Sequence, residues 1–188
     1  ALEESGEKDN TIIVFTGDNG LAVGQHGWLG KEDIYEHGVR VPLIMSGPGI
    51  SKDKRNEAYV YLYDIFPTLC EKIGIEIPES VDGKSFAHLL DGEHGDNFRD
   101  ELYLIFDKFV RGVKDDNYKL IEYRNGDNDE DKWTFLYDIK NDPWETKNLA
   151  DSDEYKEKVI EMREKILKHR DDWEEQSHPW GIDFWQRF

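Results

Sequence analysis

The α/β character of this chain is set in residues 11–49, which read TIIVFTGDNGLAVGQHGWLGKEDIYEHGVRVPLIMSGPG. Two short apolar runs, Thr11–Thr16 and Val41–Met45, open and close this stretch, and a glycine-rich segment joins them. Continuous β-branched runs of this length predict fully buried strands, and this pattern favours parallel pairing. A long loop between two buried strands is usually functional. The stretch therefore predicts the edge of an α/β sheet with a functional loop.

Further along, the chain predicts a helix and then a second kind of sheet. Residues 63–73 indicate a helix that ends at Gly74, with Ile65, Leu69 and Ile73 at core spacing. After residue 100, four short strands with turn-rich connections predict an antiparallel meander, over residues 102–106, 109–113, 118–123 and 134–137. A long amphipathic helix follows the meander, with an apolar face made by Tyr155, Val159, Met162, Ile166 and Trp173.

We therefore expect two regions. Residues 1–100 are predicted to be a piece of a larger α/β domain, because two buried strands cannot cover both of their own faces. Residues 101–188 are predicted to form a small α+β subdomain with an antiparallel sheet and a long helix.

Composition excludes some classes of partner. The net charge of −18 makes nucleic acid an unsuitable partner, since a phosphate backbone selects basic surfaces. No apolar run is long enough to span a membrane. The single cysteine, Cys70, cannot form an internal disulfide, and we expect it to be a small buried residue of the helix.

Asp18 and Asn19 follow the first predicted strand directly. Ligands of open α/β sheets bind at the carboxyl ends of the strands. One carboxylate beside one amide offers hard oxygen donors, which suit Ca²⁺ or Mg²⁺ better than zinc. A simple turn after a strand is the alternative explanation of the pair.

The ordered set of motifs resembles the type I, formylglycine-dependent sulfatases of the alkaline-phosphatase-like superfamily. The shared pieces are a Thr-Gly-Asp-Asn-Gly metal pair at 16–20, a Gly-Gln-His-Gly turn at 24–27, Gly30-Lys31, and a Tyr-Glu-x-x-x-Arg-Val-Pro-Leu-Ile strand entry at 35–44. Asp-Ile-Phe-Pro-Thr-Leu at 64–69, the segment 77–85 and the segment 136–150 resemble later parts of the family. The resemblance covers about residues 10 to 175 and implies the C-terminal portion of such an α/β enzyme.

By that resemblance, Asp18 and Asn19 complete a calcium site whose other ligands lie upstream. Related phosphatases and phosphodiesterases generally have Asp-His at this place, to hold zinc. Lys31 matches the lysine that contacts the sulfate, with an exposed loop lysine as the alternative. His26 is either a general acid for the leaving group or a residue that holds the glycine loop together.

Other polar residues of the loop are expected to be less important. We expect His37 to be a surface histidine, with a place near the substrate mouth as the alternative. We expect Glu36 and Arg40 to form a structural pair that organises the loop, with substrate contact as the alternative. The histidines outside this loop show no metal-like spacing; they are His88, His94, His169 and His178. Trp144 and the tail 180–188 are candidate sugar-stacking surfaces, with core packing as the alternative.

The family nucleophile is expected upstream. Sulfatases form formylglycine from a Cys or Ser in a C/S-x-P-x-R context, and these 188 residues do not contain that motif. We therefore expect the isolated chain to be inactive and the complete protein to hydrolyse a sulfated small molecule or glycan. A phosphonate or phosphate ester hydrolase, or a non-catalytic binding module, are the alternatives. Export to a periplasmic, extracellular or lysosomal-type compartment is implied by the resemblance alone.

Overall fold

The computed structural model of the chain describes residues 1–92 and 98–188, so His94 lies outside the described residues. The chain divides into two compact units, one of residues 1–18 with 41–100 and the other of residues 19–40 with 101–188. The segment 19–40 thus groups with the C-terminal residues, although the sequence placed it in the first region. A domain boundary near residue 100 of the complete protein stays a prediction.

The helices and strands follow in this order along the chain: α1 Leu2–Ser5, β1 Ile13–Thr16, β2 Ala22–Val23, β3 Leu29–Gly30, α2 Glu36–Val39, β4 Leu43–Ser46, α3 Ile65–Ile73, α4 Ala87–Leu90, β5 Leu102–Phe106, β6 Val110–Lys114, β7 Tyr118–Arg124, β8 Lys132–Asp138, α5 Lys156–Asp172 and α6 Pro179–Trp185. Short 3₁₀ turns separate several of them. Within the described residues, no helix has both the length and the apolar character needed to cross a membrane.

In the first unit, β1 and β4 pair with each other, but the prediction that they are parallel is wrong, and their burial in the complete domain stays a prediction. They are antiparallel, with Phe15 opposite Ile44. The side chains of Ile13, Phe15 and Ile44 are 51%, 60% and 61% exposed. Apolar composition predicts a strand, but it does not determine the strand's direction or which segments pack on its faces. The pair therefore presents an open apolar face.

Helix α3 was predicted correctly in place, but its buried face was not. It follows a 3₁₀ turn at Leu62–Asp64 and ends at Gly74, whose φ of 72° is the left-handed conformation common after helices. The buried residues are Pro67, Thr68 and Cys70, whereas Ile73 is 58% exposed. Cys70 is buried as predicted.

A buried carboxylate explains the Asp-Ile-Phe-Pro-Thr-Leu motif. Asp64 is fully buried, and Arg99 donates to both of its oxygens, at 2.5 and 2.8 Å. The backbone N–H groups of Tyr61 and Lys84 complete its hydrogen bonds, at 2.7 and 2.8 Å. Bidentate arginine–carboxylate pairs are strong and directional. Asp64 therefore ties the start of α3 to two later segments of the same unit.

The second unit is built on a four-stranded sheet. Its strands run antiparallel in the order β5-β6-β7-β8, which confirms the predicted meander. Helix α5 packs on one face and buries Val159, Met162 and Ile166 against the sheet. This arrangement confirms the predicted small antiparallel sheet with a long C-terminal helix.

The segment 31–39 covers the opposite face of this sheet. Ile34 and Tyr35 pack on Val110, Ile121 and Tyr137. The sheet is therefore covered on both faces within its own unit.

Gly112 of β6 allows the segment 31–39 to pack closely on the sheet. A side chain there would place its Cβ 2.6 Å from Ile34 Cδ1 and 2.9 Å from the Leu120 carbonyl oxygen. Glycine removes this clash, so that the apolar side chain above can lie directly on the strand.

The C-terminal tail packs onto the unit as well. Phe184 is fully buried and lies under the guanidinium of Arg111, 4.7 Å from ring centroid to Cζ. Arg111 also pairs with Glu175, which accepts hydrogen bonds from Tyr103 at 2.6 Å and Trp185 at 3.2 Å. Packing, rather than ligand stacking, therefore accounts for Phe184.

Candidate functional site

The loop after β1 begins with the two predicted metal ligands. Asp18 is exposed and Asn19 is half-buried. The Asn19 side-chain amide donates to the Gly20 carbonyl oxygen at 2.7 Å. Gly20 in turn donates to the Gly38 carbonyl at 2.8 Å, and a Cβ at Gly20 would lie only 1.8 Å from the His37 carbonyl oxygen. This glycine therefore lets the loop close tightly behind the asparagine.

Lys31 is brought to the same place by a small hairpin. Strands β2 and β3 pair Ala22 with Gly30, and Lys31 follows directly. The Lys31 ammonium lies 3.4 Å from Asn19 Oδ1, across twelve residues of sequence. The predicted sulfate-binding lysine and one predicted metal ligand are thus neighbours in the structure.

His26 occupies the middle of the 3₁₀ turn Gln25–Gly27, with a φ of 50°. A non-glycine residue in this left-handed region costs about 1 kcal/mol or more. Its exposed ring stacks on Tyr35, with centroids 3.9 Å apart and planes at 8°. Burial raises the pKa of Tyr35 above its ordinary value, so the phenol under His26 stays neutral.

His37 is not the surface histidine that the sequence predicted. Its side chain is 10% exposed, and its Nε2 lies 3.1 Å from Asp33 Oδ2. Asp33 is itself buried, and it also accepts the Tyr35 backbone N–H at 3.0 Å. His37 lies 5.6 Å from His26, measured between ring centroids. The two imidazoles therefore form one cluster over Tyr35.

The expected pair of Glu36 with Arg40 is also wrong among the described residues. Glu36 instead pairs with two lysines of the sheet, Lys114 at 2.8 Å and Lys119 at 3.2 Å. Lys119 is fully buried and pairs in addition with Glu145 at 2.9 Å. Two carboxylates and two ammonium groups thus neutralise one another in the interior, in a cluster we call the buried ion cluster: Glu36, Lys114, Lys119 and Glu145.

The ion cluster perturbs its members in the expected directions. Burial acts to raise the pKa of Glu36, but attraction to Lys119 and Lys114 outweighs it and holds the pKa below its ordinary value. Burial lowers the pKa of Lys114, and the neighbouring Glu36 opposes that effect. The carboxylate of Glu36 is therefore ionised at neutral pH and is used for structure.

A cleft of about 620 Å³ opens beside these groups, within the second unit. Its lining comprises Gln25, His26, Glu36, His37, Arg40, Pro143, Trp144, Glu145 and Thr146. The Trp144 side chain is 71% exposed at this cleft. Two predicted site features, His26 and Trp144, therefore share one concave surface.

The structure brings some predicted site residues together and adds others that the sequence did not indicate. Asn19 and Lys31 are neighbours. Asp33 and Glu145 were missed: the i, i+4 spacing of Asp33 and His37 is a local signal that could have indicated that pair, whereas the partners of Glu145 are distant in sequence. Among residues 1–92 and 98–188, no three His, Cys, Asp or Glu side chains are grouped as a metal site. The metal assignment of Asp18 and Asn19 thus stays a prediction.

Comparison with known proteins identifies the family. Residues 24–172 match the family model described as N-sulphoglucosamine sulphohydrolase, C-terminal. The chain belongs to the sulfatase family. An N-acetylglucosamine-6-O-sulfatase of Bacteroides thetaiotaomicron is 34% identical to this sulfatase chain over 172 aligned positions, and the alignment covers 86% of the chain and 30% of the relative. The chain thus spans about a third of the length of the curated relatives it matches.

Solved structures share the fold of this sulfatase chain. A protein in complex with its substrate D-glucosamine-2-N,6-O-disulfate matches with a TM-score of 0.81 and 31% identity, over 92% of this chain and 36% of that one. A phosphonate monoester hydrolase of Agrobacterium radiobacter matches with a TM-score of 0.79 and 26% identity, over 91% and 37%. These matches confirm the predicted alkaline-phosphatase-like α/β fold.

Proposed function

We propose that this chain is the part of a calcium-dependent sulfuric ester hydrolase that supplies a metal-ligand pair, the sulfate-binding lysine and part of the substrate pocket. One observation carries the proposal. The Lys31 ammonium lies 3.4 Å from Asn19 Oδ1, so that a cation and a hard oxygen donor converge on one point. A sulfate group needs such a cation and a metal ion that the oxygen donor can hold, because its own oxygens gain negative charge as the S–O bond breaks.

The donor chemistry of this loop fits calcium. Asp18 offers a carboxylate and Asn19 an amide oxygen, and hard oxygen donors of this kind suit calcium better than zinc, which prefers histidine and cysteine. Bound calcium would polarise the sulfate oxygens, and Mg²⁺ has compatible oxygen chemistry. Asp18 and Asn19 would hold the ion together with ligands from outside these 188 residues, where the formylglycine is also expected.

Lys31 and His26 have separate roles in the proposal. The exposed Lys31 ammonium binds the sulfuryl oxygens as a point charge with three donors. His26, stacked on Tyr35, gives a proton to the departing oxygen as a general acid. Its strained backbone and its place at the cleft support this role over one of loop packing alone.

The proposed substrate is a sulfated glycan. The 34% identical relative is named for a sulfated N-acetylglucosamine, and the matched complex holds a sulfated glucosamine. We further propose that the complete protein is exported, because a Drosophila melanogaster relative, 42% identical over 90 residues, is named an extracellular sulfatase.

Hydrolysis of a phosphonate or phosphate ester is the second candidate, favoured by the fold match to a phosphonate monoester hydrolase. Asn19 argues against it by resemblance, since the related phosphatases generally have histidine at this place. A binding module without chemistry is the third candidate. It predicts no turnover of any ester by the complete protein.

The proposal is tested in the complete protein with 4-nitrophenyl sulfate. Lys31→Ala should lower kcat by about 10²–10³-fold, as loss of a charge-stabilising donor does in other enzymes. Lys54→Ala, at an exposed lysine of a turn in the other unit, is the matched control and should keep full activity. Equal activity of the two variants would refute the role of Lys31.

His26 is tested through the leaving group. His26→Gln should slow the release of a sugar alcohol much more than that of 4-nitrophenolate, because only the alcohol needs a proton to depart. An equal loss on both substrates would mean that His26 only holds the loop. The isolated 188-residue chain should hydrolyse neither substrate.

A further inference from the structure

The loop that carries Trp144 is closed by its own hydrogen bonds. The Asp142 carboxylate accepts from the backbone N–H groups of Thr146 and Lys147, at 2.7 and 2.9 Å, and from the Thr146 hydroxyl at 3.0 Å. The Glu145 N–H donates to the Asp142 carbonyl at 3.0 Å. Residues 143–145 therefore form the tip of a compact turn.

The side chain of Glu145 holds this turn against the interior of the second unit. Its side chain is 1% exposed, and its backbone holds a φ of 56°. The carboxylate pairs with Lys119 and accepts the Glu36 backbone N–H at 2.7 Å. A left-handed non-glycine residue persists only where its surroundings hold it there. The backbone that carries the neighbouring Trp144 is thus held in place, and 71% of the tryptophan's surface is exposed.

An exposed indole on a firmly held loop is suited to a ligand. An aromatic ring offers a large apolar contact surface and loses little conformational entropy when it binds. Sugars present flat apolar faces to such rings. The cleft volume of about 620 Å³ lies within the range of about 300–1,000 Å³ of small-molecule sites.

The lining of the cleft also carries a positive charge, on Arg40. Glu36 is neutralised by lysines inside the buried ion cluster, so its charge is not presented to a ligand. Arg40 is exposed and forms no ion pair with any carboxylate in the part of the chain that the structure describes. In a chain of net charge −18, this guanidinium is a local site for an anion.

We propose that the cleft binds a second anionic group of the substrate glycan, with Trp144 stacked on its sugar ring and Arg40 paired with its carboxylate or sulfate. The proposal rests on the proposed sulfatase function and names its substrate class. The natural substrate is a glycan with a negative charge in addition to the scissile sulfate, and not a simple aryl sulfate. Trp144 and Arg40 are specificity-determining residues.

The test compares two substrates in the complete protein. The first is a sulfated disaccharide with a uronic acid, and the second is 4-nitrophenyl sulfate. Trp144→Ala and Arg40→Gln should each lower the ratio of their kcat/KM values by about tenfold, which corresponds to about 1.4 kcal/mol. Trp133→Ala, at a 44% exposed tryptophan that does not line the cleft, is the control and should keep the ratio.

A matched disaccharide without the carboxylate separates the contribution of the charge from that of the sugar ring. When the uronate of the disaccharide is reduced to its alcohol, the kcat/KM ratio of Arg40→Gln should equal that of the unmutated protein. The ratio of Trp144→Ala should still be about tenfold lower than that of the unmutated protein. If both variants keep the ratio of the unmutated protein, or if Trp133→Ala lowers it equally, the proposal is overturned.

Direct binding separates this proposal from the proposed function. Calorimetric titration of the disaccharide into the complete protein should show binding that Trp144→Ala and Arg40→Gln weaken by about tenfold. If the complete protein binds the disaccharide with this pattern but hydrolyses no sulfate ester, the sulfatase function is refuted and the proposed subsite is retained. Sulfate-ester turnover with unchanged binding in both variants would refute the subsite and keep the sulfatase.

Discussion

Replacing Glu145 should destabilise the unit formed by residues 19–40 and 101–188. The Glu145 carboxylate is buried, lies 2.9 Å from the Lys119 ammonium and accepts the Glu36 N–H at 2.7 Å. Lys119 has no exposed surface through which water could take over the role of the carboxylate. Loss of Glu145 therefore leaves Lys119 with the carboxylate of Glu36, which also pairs with Lys114.

The size of the effect follows from these contacts. Removing one partner of a buried ion pair costs about 3–5 kcal/mol. Glu145→Gln should fall at the lower end, about 3 kcal/mol, because Glu36 still compensates part of the charge and the amide oxygen still accepts the N–H. Glu145→Ala also loses that hydrogen bond, worth about 1 kcal/mol, for a total of about 4 kcal/mol.

Urea unfolding of the 188-residue chain, followed by circular dichroism, measures both variants. The control is Asp153→Ala, which removes an exposed ion pair with Lys156 whose side chains are 90% and 68% exposed. It should change the free energy of unfolding by less than about 0.5 kcal/mol. A cost below about 1 kcal/mol for Glu145→Gln would refute the reasoning, and equal costs for Gln and Ala would refute the hydrogen bond.

Other changes test the remaining structure. Asp64→Asn should cost about 3 kcal/mol in urea unfolding, because it leaves the Arg99 guanidinium without its buried carboxylate; a cost like that of a surface change would contradict this. Gly20→Ala should lower the melting temperature, since its Cβ would lie 1.8 Å from the His37 carbonyl oxygen, and an unchanged melting temperature would mean that the loop is not held as described. Burial lowers the pKa of His169 below its ordinary 6.5, so the unfolded state binds the proton first. Stability should therefore rise with pH from the lowered pKa up to about 6.5, and His169→Phe should remove that rise in unfolding midpoints measured across this range.

The C-terminal unit was the more predictable part of the fold. The strands of the meander and helix α5 are specified by local alternation, turn residues and helical spacing, and all were found where expected. The two N-terminal strands were also predicted in the right place, but their relative direction was predicted wrongly. Antiparallel pairing of β1 with β4 depends on the path of the intervening chain, which apolar composition does not record.

The same distinction holds for the site. Asp18, Asn19, Lys31 and His26 stand out because they lie within one short patterned segment. Glu145 could not be predicted, because its bond to the Glu36 backbone joins residues 109 positions apart. Long-range polar pairs leave no periodic signal in a single sequence.

Sulfate release by the complete protein tests the central proposal most directly. The measurement compares hydrolysis of a glucosamine 6-sulfate with that of matched phosphate and phosphonate esters, before and after calcium is removed by a chelator and restored. We expect the sulfate ester to be the preferred substrate, with activity lost on chelation and recovered with Ca²⁺. Faster turnover of the phosphate or phosphonate ester, or sulfate release that does not depend on the metal, would contradict the proposal.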